Sequence, residues 1–512
     1  MGQTSTTAGR AAAPFGAPYV AAFVAVLVAL IAPLWVPAMP PLSDYLNHVA
    51  RADVLARYGQ EAAYRAFYAP AWGPYPNLAF DLFTVPVARV VGAETAGKLF
   101  LSLTVALFAT GSVLFGRALL GRPSLRALLA AFFAYSESFL LGYASFSFGM
   151  GLMLAALSLF VGAGGAVTSV KRQVGFAALA LGVVVSHAAA FVTLCLACGA
   201  IVSVSAWQSR SRGGNLPVGA LVRALIPLVP AGLYFLSWLL FFADHSADRG
   251  FSSPGTSARL LLQTMLPTYS ARLDLVVLGA CALAAAAALA LARPLAVDAR
   301  LAAAACLLAA AVFGAPADFG GGYEANGRYV VGAWLFGLFA ISPREPRAAW
   351  SWARSAPAIA AITVLFARQG LVAKAFADLD RDLAGQVALL QSLPDGVTLG
   401  NLTFLDGRAP RAVQLRERAV LHATSVAVLT RHANVPTLYA IKGVQPLAHR
   451  TPRYDRHRFR ATDKGPFELE RIHDELDAAL VCHAPRELTD ALVAKGATIS
   501  GEHAGCALYV WR

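Results

Sequence analysis

Four side chains with complementary chemistry follow the first long apolar run of the chain. In PPLSDYLNHVARADVLARYG (40–59), residues at i, i+3, i+4 and i+7 are Asp44, Asn47, His48 and Arg51. If Ser43 caps a helix here, this spacing brings all four to one helical face. A carboxylate there can take a proton from a hydroxyl, and an imidazole or guanidinium can bind a phosphate. The structural alternative is an acid that stabilises a helix N-terminus, followed by a solvated face.

Three further ionisable residues border apolar runs. Asp81 lies in WGPYPNLAFDLF (72–83), and an acid at membrane depth needs a partner. His187 is the only acidic or basic residue of the run 174–206, and Arg328 follows a Gly-rich turn before another run. Arginine is suited to bidentate binding of phosphate. The structural alternatives are an interfacial belt around Asp81, a packed neutral histidine, and an arginine that snorkels to the interface.

The composition predicts a polytopic membrane protein. The 512 residues are 57% hydrophobic and only 14% charged, and the mean hydropathy is +0.58. A soluble domain carries about 25% charged residues, so this chain lacks the polar residues to cover a water-facing surface. The net charge of +13 comes from Lys and Arg in short clusters between apolar runs. That distribution indicates membrane topology and argues against a nucleic-acid partner.

Apolar runs of membrane size predict eleven spans. They lie at 17–37, 97–119, 124–142, 147–166, 174–206, 221–242, 272–292, 299–314, 329–342 and 351–368. The run 174–206 is too long for one span, so we expect a hairpin that turns near Ser186 and His187. With a cytoplasmic N-terminus, every small basic cluster falls on the cytoplasmic side. The stretch 78–92, which contains Asp81 and Pro86, is then expected to be interfacial or re-entrant, since an extra span would reverse this arrangement.

The outer face then receives nearly all the polar residues that invite a chemical explanation. These are Asp44, His48, Arg51, Asp81, His187, Asp244, His245, Asp318, Glu324 and Arg328. We expect a membrane domain over residues 1–369, whose external loop 38–96 carries Asp44. Residues 370–512 are richer in charge and are expected to form a soluble extracytoplasmic α/β domain. Cys482 and Cys506 can pair if that domain is outside the cytoplasm.

Short apolar and amphipathic stretches predict the elements of this C-terminal domain. The strand-like stretches are VTLGNLTF, VPTLYA, AALVCHA and CALYVWR, and the helix-like ones are FADLDRDLAGQVALLQSL and PRELTDALVAKG. The predicted fold is therefore an all-α polytopic membrane bundle of about 11 transmembrane helices followed by a small α/β domain.

Several motifs resemble those of a known family. LSDYLNHVAR (42–51) resembles the D-Y-P-N-H-x-A-R element of a large, uncharacterised bacterial group of GT-C-like membrane glycosyltransferases. PNLAFDL, YASFSFGMGL, SHAAAF and GRYV resemble later motifs of that group in the same order. LTRHANVPTLYAIKGVQPL (429–447) resembles a segment of its C-terminal domain. The chain departs from better-known GT-C enzymes because Asp44 is followed by Tyr45 rather than by a second acid.

The resemblance implies an inverting GT-C-type transferase in the bacterial inner membrane. It implies a polyprenyl-phosphate-linked sugar as donor and a periplasmic glycan, lipid or protein as acceptor. Asp44 maps onto the family's catalytic base. The expected substrate-binding residues are Asn47, His48, Arg51, Asp81, His187 and Arg328. No metal or other cofactor is expected, since a monophosphate can leave without one, although a divalent cation stays open as an alternative.

Two other classes of function fit a polytopic chain. A lipid or glycolipid transporter often has inverted repeats and charges within its spans, whereas here no repeat is visible and the acids lie in the external loops. A non-catalytic scaffold for polysaccharide assembly would keep the fold without the chemistry. An isosteric change at Asp44 separates the enzyme from the scaffold.

Overall fold

The computed structural model describes most of the chain. The described residues are 15–162, 169–213, 218–243, 250–291, 295–318, 324–343, 352–405, 409–451 and 475–511. Asp244 and His245 lie outside them.

Up to Leu390, the described residues are mainly helical. The helices are α1 (Ala17–Trp35), α2 (Tyr45–Arg57), α3 (Ala62–Phe67), α4 (Ala79–Val91), α5 (Ala93–Leu120), α6 (Leu125–Ala131), α7 (Glu137–Leu140), α8 (Ala144–Val161), α9 (Val170–Ser186), α10 (Ala188–Ser211), α11 (Val218–Leu225), α12 (Val229–Phe241), α13 (Pro254–Gln263), α14 (Ala271–Leu291), α15 (Ala299–Gly314), α16 (Tyr329–Ala340) and α17 (Trp352–Leu390). Three short strands interrupt them: β1 (Tyr68–Pro70), β2 (Leu295–Val297) and β3 (Ile341–Pro343).

Seven helical segments of the described chain are long and apolar enough to cross a membrane. They are α1, α5, α8, α10, the α11–α12 segment from Val222 to Phe241, α14 and α17. The remaining predicted runs form shorter helices, namely α6, α9, α15 and α16. The polytopic helical architecture is thus confirmed, and the chain is a membrane protein.

Two of the predicted runs each form more than one helix. The run 174–206 turns where expected, since α9 ends at Ser186 and α10 begins at Ala188 after an extended His187. The run 124–142 is not one helix. It divides into α6, a 3₁₀ turn at Phe132–Tyr135 and α7, because the backbone of Ser136 is extended with ψ 166°.

Backbone contacts define two opposite ends of the bundle. At one end, Tyr19 Oη of α1 donates to Ser124 O of the α5–α6 loop at 3.2 Å, and Asp298 N before α15 donates to Ala340 O of α16 at 2.8 Å. Arg126 of α6 donates to Ile341 O, which places these two contacts at the same end. The other end joins the loops that follow α1 and α7, through Asp44 N to Leu141 O at 3.0 Å. The basic cluster of the α5–α6 loop therefore lies at the end of the bundle away from Asp44. The cytoplasmic assignment of that end remains a prediction.

Helix α4 corresponds to the segment predicted to be interfacial or re-entrant. Its 13 residues extend about 20 Å, which is less than the ~30 Å hydrocarbon core of a bilayer. Pro86 lies inside the helix, and Asp81 in its first turn is completely buried. The length supports the interpretation that α4 does not span the membrane.

The C-terminal part forms a small mixed sheet with flanking helices. Its elements are β4 (Leu399–Thr403), α18 (Arg411–Ala419), α19 (Val426–Arg431), β5 (Leu447–His449), β6 (Ala478–Cys482), α20 (Arg486–Ala494), β7 (Thr498–His503) and β8 (Cys506–Val510). The four-stranded sheet has the order β4-β6-β8-β7, with β4 parallel to β6 and the other pairs antiparallel. A separate core between this sheet and α20 contains Leu402, Val481, Leu488 and Tyr509. The predicted small α/β unit is confirmed.

One of the four predicted strands is wrong. Residues 435–440 (VPTLYA) form tight turns, with Leu438 N donating to Val435 O at 2.9 Å and Ala440 N to Leu438 O at 2.7 Å. Pro436 has no N–H to give to a sheet. The strand β7, which is largely exposed, was not expected.

Two features connect the C-terminal part to the rest of the chain. Helix α17 continues through residue 369, where the composition changes, so no helix end marks the predicted boundary. Strand β5 pairs with β1 of the external loop, with Ala69 opposite Ala448. The division at 369/370 therefore remains a prediction about domains.

The neighbouring strands β6 and β8 of the C-terminal sheet are joined by a disulfide between Cys482 and Cys506.

Candidate active site

Helix α2 brings Asp44 to the junction between the helical bundle and the C-terminal part. Asp44, not Ser43, is the residue that precedes the first helical turn, and its side chain makes no capping hydrogen bond. Its N–H is fixed to Leu141 O at 3.0 Å. Gly142, with φ +84°, packs so closely that a Cβ there would lie 2.6 Å from Asp44 N. A glycine is therefore needed here for both its conformation and its size.

The Asp44 carboxylate contacts two residues that are almost 400 positions away in the sequence. Tyr439 Oη donates a hydrogen bond to Asp44 Oδ1 at 2.8 Å. His422 Nε2 lies 3.7 Å from the same oxygen and 3.4 Å from Tyr439 Oη. The Asp44 side chain is 17% exposed, whereas that of His422 is 2% exposed. The site is thus a carboxylate held on one side and accessible on the other.

These neighbours keep Asp44 ionised. Burial alone would raise the pKa of Asp44, but the nearby His422 imidazole and the hydrogen bond from Tyr439 outweigh it. The pKa therefore lies below its usual value. Asp44 is an anion at neutral pH, which is the form a proton acceptor requires.

His48 lies next to this carboxylate but carries no charge near neutral pH. Burial, with a smaller effect from the charge of Arg51, lowers the pKa of His48 to about 3. Its ring packs against Phe80 and against Tyr439, with centroid distances of 5.3 and 5.6 Å. A neutral, packed imidazole has no charge to offer a phosphate.

Asn47 fastens the C-terminal part to α2. Ser425 Oγ donates to Asn47 Oδ1 at 2.6 Å, and Asn47 Nδ2 donates to Thr437 O at 3.4 Å. Asn47 is completely buried. The face of α2 that the spacing predicted therefore exists, but it is not solvated, because residues 422–439 cover it.

Arg51 and Asp81 form a buried ion pair. Arg51 Nε and Nη2 donate to Asp81 Oδ1 and Oδ2, each at 2.8 Å, and the two side chains are 1% and 0% exposed. Each residue is thus the partner that the other needs at this depth. Their substrate-binding role remains a prediction, and in this structure they bind each other.

Arg328 and His187 lie together on another side of the site. The Arg328 guanidinium stacks 4.2 Å over the ring of Tyr143, and its Nε has no hydrogen-bond partner among the described residues. His187 caps α10 by accepting a hydrogen bond from Ala189 N at 3.1 Å, and it interacts electrostatically with Arg328. Arg328 is only 7% exposed. Such a buried guanidinium is suited to an anion.

Tyr143 connects the Arg328 side of the site to Asp44. Burial raises the pKa of Tyr143; the charges of Glu324 and Asp44 raise it further, and those of Arg328 and Arg418 oppose them. Asp44 and Arg328 therefore act on the same tyrosine. A carboxylate base and a guanidinium that both act on one tyrosine supply the two charges that a transfer from phosphate to a hydroxyl requires.

Two arginines of α18 pin the C-terminal part to the loop that precedes Arg328. Arg411 and Arg418 donate to Glu324 at 2.8 and 2.9 Å, and Arg411 also pairs with Glu137 of α7. Burial would raise the pKa of Glu324, but the charges of the two arginines lower it to about 2. The sequence placed Glu324 on the outer face without indicating these partners.

This pairing predicts an acid-labile contact. Because the pKa of Glu324 is depressed, its contribution to stability is present above its ordinary value of 4.5 and is lost as the pH falls towards 2. The thermal-unfolding midpoint of the wild type should therefore fall more steeply between these pH values than that of Glu324→Gln. Equal slopes in detergent-solubilised protein would contradict the prediction.

The described residues contain no group of three or more His, Cys, Asp or Glu side chains placed to hold a metal ion. The expectation that no metal is needed remains a prediction.

Comparisons with known proteins give a structural match. No family model matches the chain, and no curated protein matches it significantly. The structure is similar to ArnT from Cupriavidus metallidurans, a GT-C glycosyltransferase, in the apo state, with a TM-score of 0.53. The fold is GT-C-like. The similarity covers 96% of this chain and 97% of ArnT at 12% sequence identity. The undecaprenyl phosphate-bound form of ArnT gives a TM-score of 0.52, also at 12% identity, over 97% of this chain and 98% of ArnT.

Tyr439 and His422 are the site residues that sequence reasoning missed. Tyr439 lies in the 429–447 stretch that resembles a family segment, but nothing in that stretch indicated contact with Asp44. His422 lies among apolar and small residues with no recognisable spacing. Contacts across almost 400 positions carry no local signal in a single sequence.

Proposed function

We propose that this protein is an integral membrane glycosyltransferase that moves a sugar from a polyprenyl-phosphate donor to an acceptor hydroxyl. The observation that carries the proposal is the ionised Asp44 carboxylate, held by Tyr439 and His422 at the junction of the two parts of a GT-C-like fold. ArnT has been crystallised with undecaprenyl phosphate, and by analogy we assign a polyprenyl-phosphate carrier to this chain.

The proposed reaction is a single displacement with inversion. Asp44 accepts the proton of the acceptor hydroxyl, and the hydroxyl oxygen forms a bond to the anomeric carbon. The bond from that carbon to the phosphate oxygen breaks, and polyprenyl phosphate leaves with the electron pair. Arg328 faces the departing negative charge, and His187 interacts electrostatically with Arg328. The proposed mechanism assigns no phosphate contact to four neighbouring residues that support the site, namely Arg51, Asp81, Asn47 and His48.

Arg328 is the phosphate ligand that this mechanism requires. Replacing Arg328 with Gln should weaken binding of undecaprenyl phosphate by about 10- to 100-fold, because a buried charge-assisted contact is lost. Binding to purified protein in nanodiscs measures the effect. The matched control is Arg300→Gln, since Arg300 pairs with Asp298 at the opposite end of the bundle. Wild-type affinity in Arg328→Gln would remove Arg328 from the mechanism.

We further propose a bacterial inner-membrane location with the C-terminal part in the periplasm. The disulfide between Cys482 and Cys506 supports an oxidising compartment for that part. Residues 1–369 would then be the membrane domain and 370–512 the periplasmic domain. The motif LSDYLNHVAR supports membership in the bacterial group named above. The acceptor is a periplasmic glycan, lipid or protein.

Deletion of the gene, followed by complementation with the wild type, tests the proposal. The masses of extracted glycolipids and surface polysaccharides should lose one hexose or pentose unit on deletion and regain it on complementation. If no glycan or glycolipid changes in mass, the proposed transferase function is wrong. A changed amount of an otherwise unaltered polysaccharide would instead support the scaffold alternative.

A further inference from the structure

The C-terminal part presents two side chains to the base through a rigid connection. His422 follows Leu421, whose carbonyl accepts a hydrogen bond from Asn401 Nδ2 of β4 at 2.5 Å. Tyr439 lies in the turns of residues 435–440, whose Thr437 carbonyl is bound by Asn47 of α2. His422 is thus tied to the sheet through Leu421, and Tyr439 is tied to α2 through Thr437.

We infer that Tyr439 and His422 are positioning residues for Asp44, and that they orient its carboxylate so that Oδ2 faces the acceptor. The inference rests on the proposed function and deepens it, since it makes the C-terminal part a component of the active site.

The geometry of the carboxylate supports this role. Both residues approach the same oxygen: Tyr439 Oη donates to Oδ1 at 2.8 Å and His422 Nε2 lies 3.7 Å from it. The two partners also support each other, since their rings meet edge to face with centroids 5.3 Å apart. The hydrogen bond from Tyr439 goes to Oδ1, while the Asp44 side chain keeps 17% of its surface exposed. One oxygen is therefore held while the other is left for a proton transfer, which requires alignment of the reacting groups.

The titratable groups that face Asp44 come from three directions. His48 approaches from α2, Tyr439 and His422 from the C-terminal part, and Tyr143 from the loop before α8. His48 and Tyr143 are both neutral near pH 7, because burial lowers the pKa of the first and raises that of the second. Tyr439 supplies a hydrogen bond to the carboxylate, and the His422 imidazole lies 3.7 Å from the same oxygen. Removing either should make Asp44 easier to protonate and less well aligned.

Labelling by a carbodiimide provides a readout that does not depend on turnover, because carbodiimides react with protonated carboxyl groups. Purified full-length protein in detergent is treated with dicyclohexylcarbodiimide at about pH 5.5, and modification of Asp44 is followed by peptide mass spectrometry. In Tyr439→Phe and His422→Asn, Asp44 should be labelled roughly ten-fold faster than in the wild type. In membranes, both variants should form the glycan product about ten-fold more slowly, with the acid limb of the pH profile moved to higher pH.

The chain offers a matched control for each change. Tyr58→Phe removes a tyrosine hydroxyl that accepts from Arg450 of the C-terminal part, without contact to Asp44. His432→Asn removes an imidazole that lies 3.7 Å from a carboxylate, that of Glu61. Asparagine also tolerates the positive φ of 50° at position 432. Both controls should leave the labelling of Asp44 and product formation at wild-type levels.

The outcomes separate this inference from the proposed function. Faster labelling together with slower product formation at unchanged protein abundance supports the positioning role. Wild-type labelling overturns it, whether the variants are active or inactive, since loss of activity alone would indicate a structural role. Faster labelling of Asp44 with product formation at the wild-type rate also overturns the inference. If Asp44→Asn itself retains activity, Asp44 is not the base and the proposed mechanism fails, whereas an inactive Asp44→Asn beside two wild-type-like variants removes only the inference.

Discussion

Replacing Asp44 with Asn is expected to lower the rate of sugar transfer by about 1,000-fold and to leave the protein folded. Asparagine has nearly the same shape, and its carbonyl can accept the hydrogen bond that Tyr439 donates at 2.8 Å. An amide cannot take the proton of the acceptor hydroxyl. The rate of product formation in membranes with matched amounts of each variant measures the effect.

Asp380→Asn is the matched control for this change. Asp380 Oδ1 accepts a hydrogen bond from Ala38 N at 3.0 Å, so it contacts the same external loop without meeting Tyr439 or His422. It should transfer sugar at the wild-type rate. If Asp44→Asn is as active as this control, Asp44 is not the base, and the scaffold and transporter alternatives return.

The sequence predicted those features of the fold that have a local cause. Apolar runs of membrane length became helices, and the single histidine in the run 174–206 marked its hairpin, because a polar residue at that position favours a turn. Alternating apolar stretches became β4, β6 and β8. The error at residues 435–440 has an identifiable cause, since Pro436 breaks a pattern that is otherwise typical of a strand.

The sequence predicted the part of the site that lies on helix α2, but not the part that the C-terminal residues contribute. The spacing of Asp44, Asn47, His48 and Arg51 located the helical face, but a spacing rule does not say what covers that face. Its cover comes from residues 422–439, which bury Asn47 and provide Tyr439. Residue type alone did not indicate that Asn47 fastens the C-terminal part to the helix.

Breaking the ion pair between Arg51 and Asp81 is the second change with a large expected effect. Arg51→Met should destabilise the protein by about 3–5 kcal/mol, because it leaves the Asp81 carboxylate buried without its partner. Asp81→Leu should destabilise the protein by a similar amount, because it leaves the Arg51 guanidinium buried without its partner. The free energy of unfolding in mixed micelles, followed by circular dichroism during SDS titration, measures both.

The double variant Arg51→Met/Asp81→Leu distinguishes a structural pair from a substrate site. Apolar side chains of similar size can replace a buried ion pair at little cost, so the double variant should recover most of the lost stability. It should also bind undecaprenyl phosphate like the wild type, because Arg51 Nε and Nη2 already donate to Asp81. Arg300→Met serves as the comparison for a partly exposed pair, with an expected loss below about 1 kcal/mol.

The opposite pattern would restore the interpretation that the sequence suggested for Arg51. If Arg51→Met unfolds like the wild type but loses affinity for undecaprenyl phosphate, the guanidinium must leave Asp81 when the donor binds. Asp81 would then be the residue that stores Arg51 in the free enzyme. Between these outcomes the structure favours the first, since both side chains are at most 1% exposed and both Asp81 oxygens accept hydrogen bonds from Arg51.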